Sequence, residues 1–341
     1  MTPRVSVVIS TFNRLELLQE LLAALKVQSF KKFEVIVVDD GSSVPVAPVL
    51  EKLTKKLGYP LTIITQHNAG AAAARNAGIL KARGDIVVVT DDDMLVPEAF
   101  LTEHVKAHDA GFTLVLGQIA YDASLGDKPL FERFHAQQLA RFVERYTQHP
   151  TEVRGVMVCT GNVSFRRADY LAVGGFDQSL DRSEDRELGV RLQKAGAKLV
   201  FAPLARTTNR SDHTDLSVWR RRNFQYGVYD SRIHAKHPDL IEADPWHFLF
   251  LVNPVSKGLL LLSAASPAAG KVLSRAAYEV ADALDKKRSL SPLLEKAAIA
   301  GATLSYGLDY FRGVREEAGS LRKAAGGLVR HAVTVFKSRR G

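Results

Sequence analysis

The segment Val87-Val88-Val89-Thr90-Asp91-Asp92-Asp93 constrains this chain more than any other. A run of β-branched residues reads as a buried strand, and three consecutive carboxylates follow where that strand emerges. Three adjacent carboxylates near a protein interior repel one another, and a divalent cation relieves the cost of keeping them ionised. The same residues also suit an acidic strand-to-helix turn, in which Asp93 or a neighbour caps a helix that Pro97 starts. Taken alone, the two readings weigh about evenly.

Length and charge bound the alternatives. With 341 residues the chain can bury a full core and has the length of roughly two domains. A formal charge of +9 is compatible with nucleic acid, an anionic membrane surface or a phosphate-rich substrate, and does not choose among them. The single cysteine, Cys159, excludes an intramolecular disulfide and a cysteine-based zinc cluster, and suits a reducing compartment. The opening Met1-Thr2-Pro3-Arg4 runs straight into an apolar stretch without the pattern of a secretory signal, so a cytoplasmic location is expected. The most apolar region, Trp246 to Ala265, is interrupted at Asn253-Pro254 and Lys257-Gly258, and neither half reaches the roughly 20 residues of a transmembrane helix.

From the N-terminus, apolar runs at Val5–Ile9, Phe33–Val38, Leu61–Thr65 and Asp85–Thr90 predict four strands. Helical stripes alternate with them: Leu15 to Leu25, Val49 to Leu57 and the Ala-rich Ala71–Ala82. Four strand-helix alternations in about a hundred residues predict an α/β fold with a doubly wound, mostly parallel sheet. In such sheets ligands bind outside the carboxyl ends of the strands, where strand order reverses. Ser10-Thr11, Asp40, Asn68 and Asp91 to Asp93 all fall at such ends and would face one crevice. That inventory fits a nucleotide: Asp40 can accept from a base or ribose edge, Thr11 and Asn13 both donate and accept, and Arg75 can pair with anionic or carbonyl oxygens. Ser10 to Arg14 contains no glycine, which disfavours a dinucleotide or Walker-type phosphate loop. A diphosphate would then need another counterion, which a metal held by the acidic triplet would provide.

Beyond Gly117 the alternation stops. Leu130–Tyr146 predicts one amphipathic helix, Val156–Asn162 and Val163–Phe165 short strands, and Gly174-Gly175-Phe176-Asp177 a turn. Arg182 to Leu192 predicts a helix with Ser183 as its cap and acidic residues in its first turn, where they favour the helix dipole. Asp185, held at such a helix start, could equally serve as a positioned general base. Trp219-Arg220-Arg221-Arg222-Asn223 reads as a basic helix, solvated or meeting a phosphate-bearing acceptor. After Pro245 the chain is Ala/Leu-rich and helical, and its end sets Arg330, Lys337, Arg339 and Arg340 beside Val333, Val335 and Phe336. That pattern suits either packing within a helical region or a helix lying on an anionic membrane surface.

Several motifs in one order resemble the family 2 nucleotide-sugar glycosyltransferases, inverting enzymes of the glycosyltransferase A-type fold. The resemblance covers roughly residues 4 to 215. It is carried by Val5-Ser-Val-Val-Ile-Ser-Thr-Phe-Asn-Arg14, Glu34-Val-Ile-Val-Val-Asp-Asp-Gly-Ser42, Asn68-Ala-Gly, Ala74-Arg-Asn-Ala-Gly78, Thr90-Asp-Asp-Asp93 and Glu184-Asp185 before a helix.

The resemblance implies that Ser10, Thr11 and Asp40 contact base and ribose, and that Asn68 and Arg75 complete that pocket. It implies Asp91 toward ribose or metal, Asp93 toward a Mn2+ or Mg2+ ion, and Asp92 beside them. It makes Glu184-Asp185 the catalytic pair with Asp185 as base, and His213 a candidate on the metal or diphosphate. The implied partners are a nucleotide-diphosphate sugar donor, with UDP the commonest nucleotide, and a glycan or lipid-linked acceptor of polysaccharide or cell-envelope synthesis. Nucleic acid is not among them. Ser10 departs from the proline many members carry, and the region from Asp230 onward matches no motif of the family.

The expected organisation is a nucleotide-sugar-binding half at 1–117, an acceptor-binding and catalytic half at 118–230, and a helical region at 231–341. That last region would associate with the inner face of the cell membrane or with another copy of the chain. A catalytically inactive nucleotide-sugar-binding or membrane-associated scaffold is the alternative, although it would not need both acidic clusters intact.

Overall fold

A computed structural model describes residues 2–121, 128–210 and 215–338. By internal contacts the chain divides into two compact units, Met1–Gly126 with Ala136–Asp212, and Asp127–His135 with His213–Gly341.

The first unit is built on a sheet with eight strands among the described residues, ordered β3-β2-β1-β4-β7-β6-β8-β5. The strands are β1 (Val5–Thr11), β2 (Phe33–Asp39), β3 (Leu61–Thr65), β4 (Ile86–Val89), β5 (Met94–Leu95), β6 (Leu114–Tyr121), β7 (Val163–Arg166) and β8 (Leu199–Asn209). Strands β3, β2, β1 and β4 run parallel, and β6 is parallel to β8. β7 is antiparallel to both β4 and β6, and β5 is antiparallel to β8. The chain winds outward from β1 through β2 to β3, then returns to place β4 on the other side of β1. The order therefore reverses at the carboxyl ends of β1 and β4.

The β-branched runs make this possible because alternate side chains serve opposite faces. Val8, Ile36, Val38, Val87 and Val89 pack into one apolar layer, and Val7, Ile9, Val35, Val37 and Val88 into the other. Helices α1 (Leu15–Lys26), α2 (Ala47–Leu57) and α4 (Phe100–Asp109) cover the second layer, with Leu18, Leu21, Leu22, Leu25, Leu50, Phe100 and Leu101 buried there. Helix α3 (Ala71–Lys81) lies on the first layer. Its small residues are required by closeness: a Cβ on Gly78 would stand 2.6 Å from Val8 Cγ1.

The sequence reading needs four local corrections. Pro97 does not start a helix; α4 begins at Phe100 after an Ala99 cap position that has no side-chain bond, so no acidic residue caps it. Residues 156–162 are not a strand. A single 3-10 turn at Gly155–Met157 leads into a loop, because the Asn162 side chain donates to the Gln118 and Ala205 carbonyls. Ser183 makes no side-chain cap of α7 (Glu184–Lys194), since its φ of 60° lies in the left-handed region. The helix predicted at Leu130–Tyr146 is present as α5 (Leu130–Gln148). The Lys257-Gly258 interruption is no break at all, because α10 (Pro254–Ala265) runs through it from an Asn253 cap on the Ser256 amide. A short α6 (Arg167–Ala172) completes the first unit, and its Tyr170 is buried in the core.

The second unit is helical: α8 (Leu216–Lys236), α9 (His247–Leu251), α10, α11 (Pro267–Asp285), α12 (Pro292–Ala318) and α13 (Leu321–Ser338). Helices α8 and α12 meet backbone to backbone at two glycines, where a Cβ on Gly227 would strike the Tyr310 carbonyl and one on Gly313 the Phe224 carbonyl. Among the described residues no helix is long and apolar enough to cross a membrane.

Candidate active site

The predicted crevice residues lie at the carboxyl ends of the parallel strands. Thr11, the last residue of β1, donates from Oγ1 to Asp92 Oδ2 at 2.7 Å. Arg14 reaches the same carboxylates, donating from Nη1 to Asp92 Oδ1 at 3.2 Å and to Asp93 Oδ2 at 2.8 Å. Burial pushes the Asp92 carboxyl up to about 6, with Asp93 and Asp91 adding repulsion that Thr11 and Arg14 only partly oppose.

Arg75 on α3 is the hub of the site. It is buried, yet donates from Nη2 to Asp91 Oδ1 at 2.8 Å and from Nη1 to Glu184 Oε1 at 2.5 Å, with its guanidinium 5.8 Å from the Phe176 ring centre. Burial alone would lower its pKa, but the Asp91, Glu184 and Asp185 carboxylates outweigh that and raise it. The Gly174-Gly175 turn that carries Phe176 is tied down from two sides. Asn76 Nδ2 donates to the Phe176 carbonyl at 2.9 Å, and Arg191 Nη2 donates to the Gly175 carbonyl at 2.6 Å. Both glycines have positive φ, which other residues adopt only with strain.

Asp185 opens α7 beside Glu184. Its carboxylate accepts from the Arg186 amide at 2.8 Å and the Thr160 amide at 3.3 Å. Burial raises the Asp185 pKa well above the ordinary carboxylate range, the Glu184 charge raises it further, and Arg75 opposes. Its neighbour Ser183 is buried, and Ser183 Oγ has no hydrogen-bond partner among the described residues. Of the non-glycine residues described, Asn13, just after β1, and Ser183, just before the Glu184-Asp185 pair, have positive φ.

The loop that carries Thr160 is anchored from behind. Thr90 Oγ1 donates to the Gly161 carbonyl at 3.1 Å, and His104 Nε2 is 2.9 Å from Asn162 Oδ1. His104 Nδ1 and His108 Nε2 both meet Ser164 Oγ, at 2.8 and 2.9 Å. Burial drives these imidazoles down to about 4 and about 3, so they are neutral struts.

The other predicted residues divide by what they touch. Asp40 is buried, and its oxygens accept from Gln66 Nε2 (2.7 Å) and from the Ala69 and Gly70 amides (both 2.9 Å). Asn68 Nδ2 donates to the Asp40 carbonyl at 3.0 Å. Asp40 and Asn68 thus shape the loop that delivers α3. Asn13 Oδ1 accepts from the Ser43 amide at 2.8 Å, joining the end of β1 to the loop after β2. Ser10 is half-buried one residue earlier. His213 lies outside the described residues.

The donors that a divalent cation would meet here are Asp91 and Asp93. They are hard carboxylate oxygens of the kind Mn2+ and Mg2+ prefer. Asp91 commits only Oδ1, to Arg75, and its side chain remains 31% exposed. Among the described residues no three His, Cys, Asp or Glu side chains form a converged cluster, and the cation that bridges Asp92 and Asp93 is Arg14.

Residue-by-residue reading missed the role of Arg14, whose only signal was its place at the end of the first motif. It also missed Phe12, an aromatic 48% exposed at the end of β1.

The family model described as glycosyl transferase family 2 matches residues 6–173. The chain belongs to that family. It is 31% identical over 244 residues to the pre-mycofactocin glycosyltransferase of Mycobacterium tuberculosis, covering 69% of this chain and 48% of that protein. It is 28% identical over 242 residues to the uncharacterized glycosyltransferase YfnE of Bacillus subtilis, covering 57% of this chain and 61% of that one. The chain thus spans about half the length of the curated relatives it matches. Among solved structures, a mannosyltransferase of Pyrobaculum calidifontis in complex with GDP-Man and Mn2+ superposes with a TM-score of 0.59 at 22% identity, covering 89% of this chain and 87% of the other. At that identity the match shows a shared fold, the mixed sheet of the glycosyltransferase A type followed by helices.

Proposed function

We propose that this family 2 glycosyltransferase moves a sugar from a nucleotide-diphosphate donor to an acceptor hydroxyl with inversion, and that Asp185 is the general base. The observation that carries this reading is the division of labour between two adjacent acids. Glu184 is buried and bonded to Arg75, while Asp185 is half-buried with its pKa raised toward the working range of a base. In the transfer the acceptor oxygen attacks C1 of the sugar, its proton passes to the Asp185 carboxylate, and the C1–O bond to the diphosphate breaks as the new C1–O bond forms.

The donor side rests on the same crevice. Exposed Phe12 offers a face on which a base can stack, and Ser10, Thr11 and Asn13 border it. Asp40, Asn68 and Gln66 hold the loop beneath, and Arg75 orients Asp91. Asp91 and Asp93 would hold a Mn2+ or Mg2+ ion, which when bound neutralises the leaving diphosphate. The solved neighbour with GDP-Man and Mn2+ supports a nucleotide-sugar donor and a divalent ion, while UDP remains the commoner expectation of the family.

The outer face of α13 supports peripheral attachment to an anionic membrane. Val329, Val333 and Phe336 are exposed there close to Lys337, an apolar strip with a basic margin. Sedimentation with anionic liposomes at low salt, lost on truncation after Leu321, tests that attachment.

The activity is tested by incubating the protein with UDP- and GDP-sugars with and without manganese, and following release of nucleoside diphosphate. Metal-stimulated release that Asp185→Asn abolishes in transfer to an added acceptor is expected. A folded protein that neither binds nor turns over any donor in such a panel overturns the reading in favour of an inactive scaffold.

A further inference from the structure

The second unit contains a cleft of about 310 Å³ lined by residues of α8, α11 and α12. Its walls carry Arg220, Arg221, Lys271, Arg275 and Arg312, against one carboxylate, Asp309. Asp309 is buried and its charge is already engaged. It accepts from Arg312 Nη1 and Ser274 Oγ (2.7 and 2.8 Å), and lies 3.4 Å from Arg220 Nε. Arg220 Nη2 also donates to Ser274 Oγ at 2.8 Å, and the Arg312 guanidinium lies 5.4 Å from the Phe224 ring centre. Two forked side chains are thereby held in fixed orientations, with the aromatic ring closing one wall.

Lys271 and Arg275, one turn apart on α11, are exposed and make no hydrogen bond or ion pair among the described residues. Arg221 is exposed and interacts with Asp215, the exposed cap of α8. The cleft therefore holds more positive charge than its surroundings neutralise. Arg220 registers the excess: burial lowers its pKa and Arg275 and Arg312 lower it further, although Asp309 is in contact. Such a concentration of like charge in a concave site is costly unless an anion completes it.

We propose that this cleft is a second anion site, separate from the donor crevice, which binds the phosphomonoester or diphosphate group of a ligand. Arg220 and Arg312, pre-oriented by Asp309, present planar donors that match phosphate oxygens, and Lys271 and Arg275 close over the outer oxygens as mobile charges. The chemistry is shared by a free phosphate compound and by a phosphorylated lipid headgroup. The proposal does not rest on the transferase reading, because neither its residues nor its test involves the donor crevice.

The test uses the full chain with EDTA present, so that metal-bound phosphate in the donor crevice does not contribute. Inorganic pyrophosphate, soluble short-chain phosphatidic acid and, as a control, a single-stranded oligonucleotide are titrated calorimetrically into the wild type, Lys271→Glu and Arg275→Glu. These exposed positions spare the buried Arg220–Asp309–Arg312 arrangement, and circular dichroism melts check that both variants fold. Saturable binding to the wild type that weakens by roughly tenfold or more in each variant is expected. Pyrophosphate binding alone identifies a free phosphate compound as the source, and tighter binding of phosphatidic acid identifies a lipid headgroup. Absence of binding by both phosphate probes, or affinity unchanged in both folded variants, overturns the proposal. So does binding only of a single-stranded oligonucleotide that those substitutions abolish, because it would make the cleft a nucleic-acid contact.

Discussion

Arg75 donates to Glu184 across 109 positions of sequence, joining the first helix after β3 to the start of α7 in one buried ion pair. The same guanidinium holds Asp91, so one side chain ties the carboxylates after β4 to the acidic pair of α7.

Removing that hub is expected to destabilise the protein. Arg75→Ala leaves Glu184 buried and uncompensated, a change that costs about 3–5 kcal/mol. Arg75→Lys keeps the charge but cannot serve two carboxylates with one planar fork, and should recover only part of the loss. Urea denaturation of Arg75→Ala, Glu184→Gln and the double variant measures the coupling, expected at roughly 1–3 kcal/mol. Additive effects would show that the contact carries no energy.

For Asp185, the expected signature is a pH profile. A base works only when deprotonated, so transfer should be slow below its pKa and rise with pH to a plateau. Because burial and Glu184 raise that pKa, the rising limb should lie well above the ordinary aspartate value of about 3.9. Asp185→Asn should bind donor nearly normally and lose about 10²–10⁴ in rate, with no residual limb. A limb that persists unchanged in Asp185→Asn and vanishes in Glu184→Gln would transfer the role to Glu184.

Manganese should raise the melting temperature of the wild type, by an amount equivalent to about 2.7 kcal/mol at roughly a hundredfold excess over Kd. Asp93→Asn should abolish that shift while leaving the apo protein folded. An equal shift in wild type and Asp93→Asn, read by differential scanning fluorimetry, would place the metal elsewhere.

The neutral His104 and His108 predict acid sensitivity. Their folded pKa values, about 4 and about 3, lie below the unfolded value of about 6.5, so below pH 6.5 the unfolded chain binds protons that the folded one refuses. The stability they contribute is thus present above about pH 6.5 and declines as pH falls toward 4. His104→Gln should be less stable than wild type at pH 7 and should lose less between pH 7 and 5. Parallel declines in thermal melts of the two proteins would remove His104 as a cause.

Much of the first unit was legible in the sequence because its signals are local. Val5–Thr11, Phe33–Asp39 and Ile86–Val89 are buried on both faces and therefore read as continuous apolar strands. The polar clusters at their ends followed from the winding rule alone. The sequence thereby determined the strands and the polar and acidic residues placed at their carboxyl ends.

What a side chain touches inside that crevice is not local, and the tertiary structure decided it. Nothing near Asp40 in sequence reveals that its oxygens go to Gln66, Ala69 and Gly70. Nor does Arg14 announce that it bridges Asp92 and Asp93, some eighty positions away. Ser183 has the chemistry of a cap, but the left-handed turn that aims Asp185 toward Thr160 takes it out of capping geometry. The Trp219–Asn223 stretch alone could not distinguish a solvated basic face from a cleft, because Lys271, Arg275 and Arg312 come from helices fifty to ninety residues away. Periodicity and residue type determine elements, since they act over one or two turns of chain. Hydrogen bonds and ion pairs between elements depend on how those elements pack, and only the folded chain brings such partners within reach.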